Sequence, residues 1–488
     1  MAGLLGMTLL ARAVSFPPAV INPDESIFAL AAREVLNGNL PYERFFDNKP
    51  VASTFLIAAA FRLLGQSIHA VRLLGVLCVW ASAALTYALM SRGGASRSQS
   101  LCAALLYIAF TTTMGGFATL TEILLAPFTI LAVLLMRETL DRPEASDVAL
   151  FAYAGLASGL AILIKIVPLI PGYAVAGAVL ALLVGRNRVS IARAAVMAVC
   201  FAIGSAVPML ISALVYVQKG LLADFMYATF GFAKYYAASN PGLGTVATRL
   251  GTVVDSLWPL LALAAAGIVV LANASRLRQK LEPLPALAVI WLLAELLAAG
   301  VSRHFYPHYF LSIVPPLVVL ASLAIRSIAV WIGGVHARRA ELVLSLIAIV
   351  IPLERAEVDA VRDLIAKPDV ARALAVAILR ASAGRTPTLF VTNYQLSVLY
   401  SLVDAPLPPT RFAVPAHLFS RQSAMIRVDP AAEVARVLAA HPQFVVTDAE
   451  DRLPGWAQQQ LGSTLARGYR PIYTAGTVSL FQAVHGSS

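Results

Sequence analysis

Two adjacent carboxylates, Asp24 and Glu25, follow Asn22 and Pro23 at the front of a charged island that continues to Phe45-Phe46-Asp47-Asn48-Lys49-Pro50. A carboxylate held at a membrane surface can serve as general base toward an acceptor hydroxyl. The same residues also suit a helix start: Asn22 caps it, Pro23 takes the first position, and the acids sit at its positive end. On these residues alone both readings stand. Glu295 is an acid inside an apolar run, where an ionisable group is costly and therefore a functional candidate by default.

The elements that must position these groups are largely membrane helices. The chain has 488 residues, of which 59% are hydrophobic and 13% charged. Its repeated apolar runs have the length a helix needs to cross a bilayer, about 20 residues. They fall at 1–20, 67–91, 98–115, 120–136, 147–164, 166–185, 191–218, 254–273, 284–300, 308–331 and 340–353, about eleven spans. The first, interrupted by Arg12 and ended by Pro17-Pro18, reads as a membrane helix, since no cleavage-like site follows it.

A net charge of +11 and a pI near 9.7 point to topology and not to nucleic acid. The arginines collect in short alternate loops: Arg92 and Arg97, Arg137 and Arg142, Arg186, Arg188 and Arg193, Arg276 and Arg278 with Lys280, then Arg338 and Arg339. By the positive-inside rule these loops are cytoplasmic, which puts the island at 22–50 and everything after 354 outside. Cys78, Cys102 and Cys200 all lie in apolar runs, so neither a disulfide framework nor a zinc site is indicated.

Within the island, a helix ending at Asn37-Gly38 carries Ile27, Phe28, Ala31 and Val35 on one face and Arg33, Glu34 and Asn37 on another. It is expected to lie amphipathically on the membrane surface, and the short apolar run 50–64 as a second interfacial helix. The tail, 354–488, is more polar. Helical patterns at 354–380, 431–440 and 455–467, short buried strands at 388–393 and 444–447, and a terminal strand pair over 469–484 predict a small α/β domain. The expected organisation is a transmembrane domain, 1–353, with its first extracytoplasmic loop at 21–66, and an extracytoplasmic domain, 354–488.

The Asp-Glu pair after a first membrane helix, Asn37-Gly38, Pro41-Tyr42, Phe45 to Pro50 and Arg72-Leu73-Leu74 together resemble the first extracytoplasmic loop of glycosyltransferase family 39. A second stretch, Arg303-His304-Phe305-Tyr306-Pro307-His308-Tyr309-Phe310 followed by Pro315-Pro316, resembles the same family. It comprises protein O-mannosyltransferases and lipid A aminoarabinose transferases of the GT-C superfamily. The resemblance implies a polytopic α-helical fold of GT-C type in a bacterial inner membrane. It further implies inverting transfer of a sugar from a polyprenyl-phosphate donor, on the outer side, to a glycan, lipid or protein of the cell envelope.

The resemblance also implies site roles. Asp24 would be the base, supported by Glu25, and Lys49 would await the lipid phosphate at the membrane surface, or merely snorkel there. Lys165, in a short outward turn, either reaches a phosphate or is solvated. Arg303, His304, Tyr306, His308 and Tyr309 either contact phosphate or sugar or form an aromatic belt. Lys234, Tyr235 and Tyr236 invite the same pair of readings, with the belt favoured. Glu122 stands where related chains carry an acid that helps bind the acceptor or a divalent metal ion, with helix capping as the competing role, and Asp47 is a second candidate for the acceptor or a metal.

Two departures matter. Ile27 stands where the aminoarabinose transferases have an arginine, and Asn48 where they have an acid, so that sugar specificity is not carried over. Two further function classes compete with a transferase. A transporter or flippase for a lipid-linked saccharide would place paired charges deep in its spans, and a scaffold would use the loop acids only as caps.

Overall fold

The structure, a computed structural model, describes residues 1–141, 147–238, 241–276 and 282–484. Arg142, Arg278 and Lys280, expected in inward loops, lie outside the described residues. In chain order the first helices are α1 (Ala2–Arg12), α2 (Pro23–Leu36), α3 (Ala52–Leu64), α4 (Ile68–Arg92), α5 (Arg97–Phe110), α6 (Thr121–Glu138), α7 (Asp147–Ile164) and α8 (Leu169–Gly185). Then come α9 (Ile191–Gln218), α10 (Leu222–Met226), α11 (Phe232–Ala238), α12 (Leu243–Arg276), α13 (Pro283–Gly300), α14 (Val314–Gly333) and α15 (Ala337–Ala360). Contacts divide the chain into two compact units. One comprises Met1–Phe16, Leu73–Lys219 and Asn240–Val361, the other Pro17–Arg72, Gly220–Ser239 and Arg362–Ser488.

The first unit is a helical membrane bundle. A helix stands at each expected span, and among the described residues six helical stretches are long and apolar enough to cross a membrane by length and composition. On α9, Ile203 and Leu210 are 59% and 63% exposed, a cost in water that disappears against lipid. Several boundaries differ from the sequence expectation. α5 stops at Phe110, where Thr111, Thr112 and Thr113 turn their hydroxyls back onto carbonyls of the last turn and Gly115 takes a left-handed conformation. α12 starts at Leu243, because its polar first turns carry helix without carrying hydropathy.

Close packing of α7 on α9 depends on small residues. A Cβ on Gly155 would lie 2.2 Å from the carbonyl oxygen of Phe201, and one on Gly159 2.4 Å from that of Ser205. Where lipid replaces water, such backbone approach carries helix association in place of a hydrophobic drive.

The second unit holds the α/β fold of the tail. Its helices are α16 (Val370–Ala381), α17 (Leu399–Leu402), α18 (Pro415–Phe419), α19 (Pro430–Ala439) and α20 (Gly455–Gly468). Its strands are β1 (Leu389–Val391), β2 (Phe444–Asp448), β3 (Tyr469–Ala475) and β4 (Val478–Ala483), in the order β1-β2-β4-β3. β1 and β2 are parallel, with Phe390 opposite Val445, while β4 runs antiparallel to both β2 and β3.

One core joins the first and last segments of this unit: Ile27, Leu30, Ala31 and Phe45 pack with Leu374, Ile378, Leu389, Leu399, Phe444 and Leu480. That corrects the expectation for α2. Its polar face is not left in solvent: Arg33 and Glu34 are each only 9% exposed, Arg33 donating to the Tyr400 carbonyl at 3.0 Å and Glu34 accepting from Asn37 and Asn39. The helical pattern was amphipathic, but tail residues distant in sequence cover its second face.

Gly155→Ala should lower the thermal midpoint of the detergent-solubilised protein, by a destabilisation on the order of 1–3 kcal/mol from overpacking. Gly177→Ala, whose Cβ would meet nothing within 4 Å, should leave it unchanged or slightly raised. Equal behaviour of the two variants would refute the close-approach account.

Candidate active site

In the second unit, Asn22 caps α2 as expected, its side chain accepting from Asp24 N, and Pro23 occupies the first position. The two acids that follow then take different partners. Glu25 is 1% exposed and Arg72 0%; the guanidinium reaches the Glu25 carboxylate at 3.3 Å and donates to the carbonyls of Pro18, at 2.5 Å, and Ala19, at 3.4 Å. The pair ties the chain before α2 to the start of α4.

Asp24 points elsewhere. Its Oδ2 lies 3.2 Å from Lys49 Nζ and its Oδ1 accepts from the Tyr394 hydroxyl at 2.5 Å. Lys49 and Asp24 are 22% and 21% exposed, open enough to meet a ligand. Tyr42 holds the loop by donating to the Lys49 carbonyl, and the ammonium lies 4.5 Å from the centre of the Phe28 ring. Burial, the largest effect on Lys49, disfavours its charge. The carboxylates of Asp24 and Asp47 outweigh it, so the pKa rises and the side chain stays cationic. Asp47 is buried and its pKa is raised, by burial first; Lys49 opposes the rise and Asp24 adds to it.

Other groups border this centre. Tyr236 interacts electrostatically with Lys49 and Tyr394 and stacks on Phe232, whereas Lys234 and Tyr235 are exposed. His417 is 2% exposed, packed edge-on against Phe46 and Phe232. Burial and then Lys49 push its pKa down to about 3, so it is neutral at physiological pH.

In the first unit, Lys165 Nζ pairs with Glu122 Oε1 at 2.5 Å and lies over the Tyr309 ring at 3.6 Å. The other Glu122 oxygen accepts from Thr121. These groups line a small cavity of about 30 Å³ together with Glu295, which accepts from Trp291 Nε1 at 3.0 Å. His304, Tyr306 and His308 form a parallel stack, with ring centres 5.7 and 5.6 Å apart, and Tyr309 stands edge-on to Tyr306 and His308. The Arg249 guanidinium lies over the ring of Tyr306 at 3.9 Å and donates to the His304 carbonyl at 2.6 Å. Arg303, exposed and in a left-handed conformation, is not in the stack.

The side chains offered for a divalent metal do not fit one. Asp47 lies in the field of Lys49 and accepts from the Asn48 backbone, and Glu122 is paired with Lys165. Among the described residues no three His, Cys, Asp or Glu side chains gather as ligands. A hard cation takes six or more oxygens, and the Lys165 ammonium on Glu122 competes with it there.

Sequence reasoning missed Tyr394, His417 and Arg249. The signal for Tyr394 was its place after a buried strand, where open α/β sheets present functional groups. For His417 and Arg249 no local signal exists.

Residues 48–216 match the family model described as dolichyl-phosphate-mannose-protein mannosyltransferase, a match that begins after the Asp24-Glu25 pair. The fold is similar to the crystal structure of ArnT from Cupriavidus metallidurans bound to undecaprenyl phosphate. The TM-score is 0.69 at 16% identity, over 99% of this chain and 98% of that one. It is also similar to the oligosaccharyltransferase AglB from Archaeoglobus fulgidus in complex with an inhibitory peptide and a dolichol-phosphate. There the TM-score is 0.55 at 13% identity, over 99% of this chain and 74% of that one. No curated protein matches by sequence. The chain is thus a multi-pass membrane protein with the GT-C fold. The resemblance to GT-C transferases read from the loop motifs is borne out by the family model over part of the chain and by the fold over nearly all of it.

Arg72→Met should destabilise the protein by about 3–5 kcal/mol, because it strands a buried carboxylate. Adding Glu25→Gln should recover part of that loss. Chemical or thermal unfolding in detergent reads both, and simple additivity of the two substitutions would show that the pair is not coupled.

Proposed function

We propose that the protein is an inverting membrane glycosyltransferase that moves a sugar from a polyprenyl phosphate to a hydroxyl on an extracytoplasmic glycan, lipid or protein. The single observation carrying this is Asp24, a partly exposed carboxylate with an ammonium on one oxygen and a phenol on the other. The reaction needs a base for the acceptor proton and a cation for the departing lipid phosphate, and Asp24 and Lys49 supply both side by side. Support for a lipid-phosphate donor comes from the family model and from the ligands of the two similar structures.

The acceptor oxygen attacks the anomeric carbon as the bond from that carbon to the phosphate oxygen breaks. The proton passes to Asp24 Oδ2, and the lipid phosphate leaves with its negative charge beside Lys49. Before the donor arrives, Lys49 rests on Asp24 and makes it a weak base. A bound phosphate competes for the ammonium, which frees Oδ2 and raises its basicity when the substrate is in place. Glu25, tied to Arg72, acts by holding the first turn of α2. Lys165, Arg303, His304, His308 and Tyr309 remain candidates for donor contacts, and Glu122 for an acceptor contact.

Membranes carrying the protein, supplied with a panel of radiolabelled polyprenyl-phosphate sugars and an envelope extract as acceptor, should incorporate one sugar. Asp24→Asn should lose about 10²–10⁴-fold in kcat at equal protein level. Lys49→Gln should also be impaired, through the leaving group. Full activity of Asp24→Asn would discard the base. Accumulation of labelled donor on the opposite leaflet without transfer would favour a flippase.

A further inference from the structure

We infer that the tail domain sets the base of the reaction through Tyr394, a positioning residue that holds Asp24 ionised and correctly turned; this rests on Asp24 being that base. The Tyr394 hydroxyl donates to Asp24 Oδ1 across 370 residues of sequence. It reaches there because the ends of two parallel strands aim it. Thr392 N extends the ladder past β1 by donating to the Val446 carbonyl at 3.0 Å. Asn393 follows, and its Nδ2 donates to Asp448 Oδ2 at 2.9 Å and Asp451 Oδ1 at 3.0 Å, beyond β2. Its Oδ1 accepts from Gln395 N at 2.7 Å, starting the short 3-10 turn that carries Tyr394.

Both polar groups of the Asn393 side chain are therefore used to orient the next residue. The phenol itself keeps its proton: burial, and then the charge of Asp24, raise its pKa well above the ordinary value. A neutral donor that cannot ionise stabilises the carboxylate form of Asp24 and fixes the plane of the carboxyl group. That leaves Oδ2, where Lys49 rests, as the oxygen that takes the proton. When a phosphate draws Lys49 away, the Tyr394 bond persists and keeps Asp24 from rotating or from picking up a proton too early.

The charged and titratable groups around Asp24 are Lys49 and Asp47 on its own loop and Tyr394 from the tail. Tyr236 from the 220–239 segment stands next to Lys49 and Tyr394. His417 near Lys49 stays neutral, and Glu25 is neutralised by Arg72.

The test is the pH dependence of sugar transfer by the full-length protein in membranes, with the donor found for wild type. Activity rises with pH as Asp24 ionises. Tyr394→Phe removes one hydrogen bond to the carboxylate and should shift that acid limb upward by about one pH unit. It should also lower kcat about tenfold at neutral pH while leaving the donor KM within about twofold. Fluorotyrosine at position 394 keeps the shape and strengthens the donor, and should shift the limb downward. An unmoved limb in either variant would overturn the inference, since a packing role predicts no shift. If Tyr394→Phe fails to fold, the fluorotyrosine protein decides alone. Full activity of Asp24→Asn would instead defeat the base assignment, and that result is distinct from an inactive Asp24→Asn with an unmoved Tyr394→Phe limb.

Discussion

The buried ion pair between Arg72 and Glu25 is the constraint on which the site's geometry depends. Two charges out of water cost several kcal/mol each, and their mutual attraction offsets this only when the remaining donors are satisfied. Here they are: the guanidinium also serves the carbonyls of Pro18 and Ala19, which fixes the chain on both sides of the helix start. Because Glu25 is bound inward, its neighbour Asp24, about 100° further back around the helix, is left to face Lys49 and Tyr394. One acid of the pair thus holds the helix start, and the other meets Lys49 and Tyr394.

The second consequence is that the site cannot be assigned to a contiguous domain. Unit two is assembled from three stretches of chain, and its core contains α2 and Phe45 beside strands more than 340 residues further on. Further bonds repeat the pattern within that unit: Phe46 N donates to the Arg411 carbonyl at 2.8 Å, Arg411 pairs with Asp224 at 3.0 Å, and Ala19 N donates to Asp369 at 2.9 Å. A tail built this way is a structural part of the loop that carries Asp24 and Lys49.

Much of the fold was legible in the chain. Apolar runs of bilayer length marked the helices, because lipid demands that each spanning segment satisfy its own backbone. The short strands of the tail and the terminal strand pair over 469–484 were legible from buried apolar runs. Helix ends read less well at α5 and α12, where hydroxyl side chains or a polar first turn separate helix from hydropathy.

The candidate site was half legible for a physical reason. Asp24, Glu25 and Lys49 lie within 26 residues, and their types alone state the chemistry they can do. Their order along the chain could not say that Lys49 would rest on Asp24, that Glu25 would be consumed by Arg72, or that Glu122 would pair with Lys165. Charge pairing in a low-dielectric interior is decided by which groups folding brings within about 4 Å. Tyr394 and His417 show the limit most clearly. The place of Tyr394 after a buried strand marked it only weakly among the fifteen tyrosines, and the paired ends of β1 and β2 carry it to the carboxylate. The sequence by itself determined the membrane helices, the small sheet and the reactive residue types. Tertiary structure alone decided their protonation, partners and aim, because those depend on distances between residues that the chain's order leaves open.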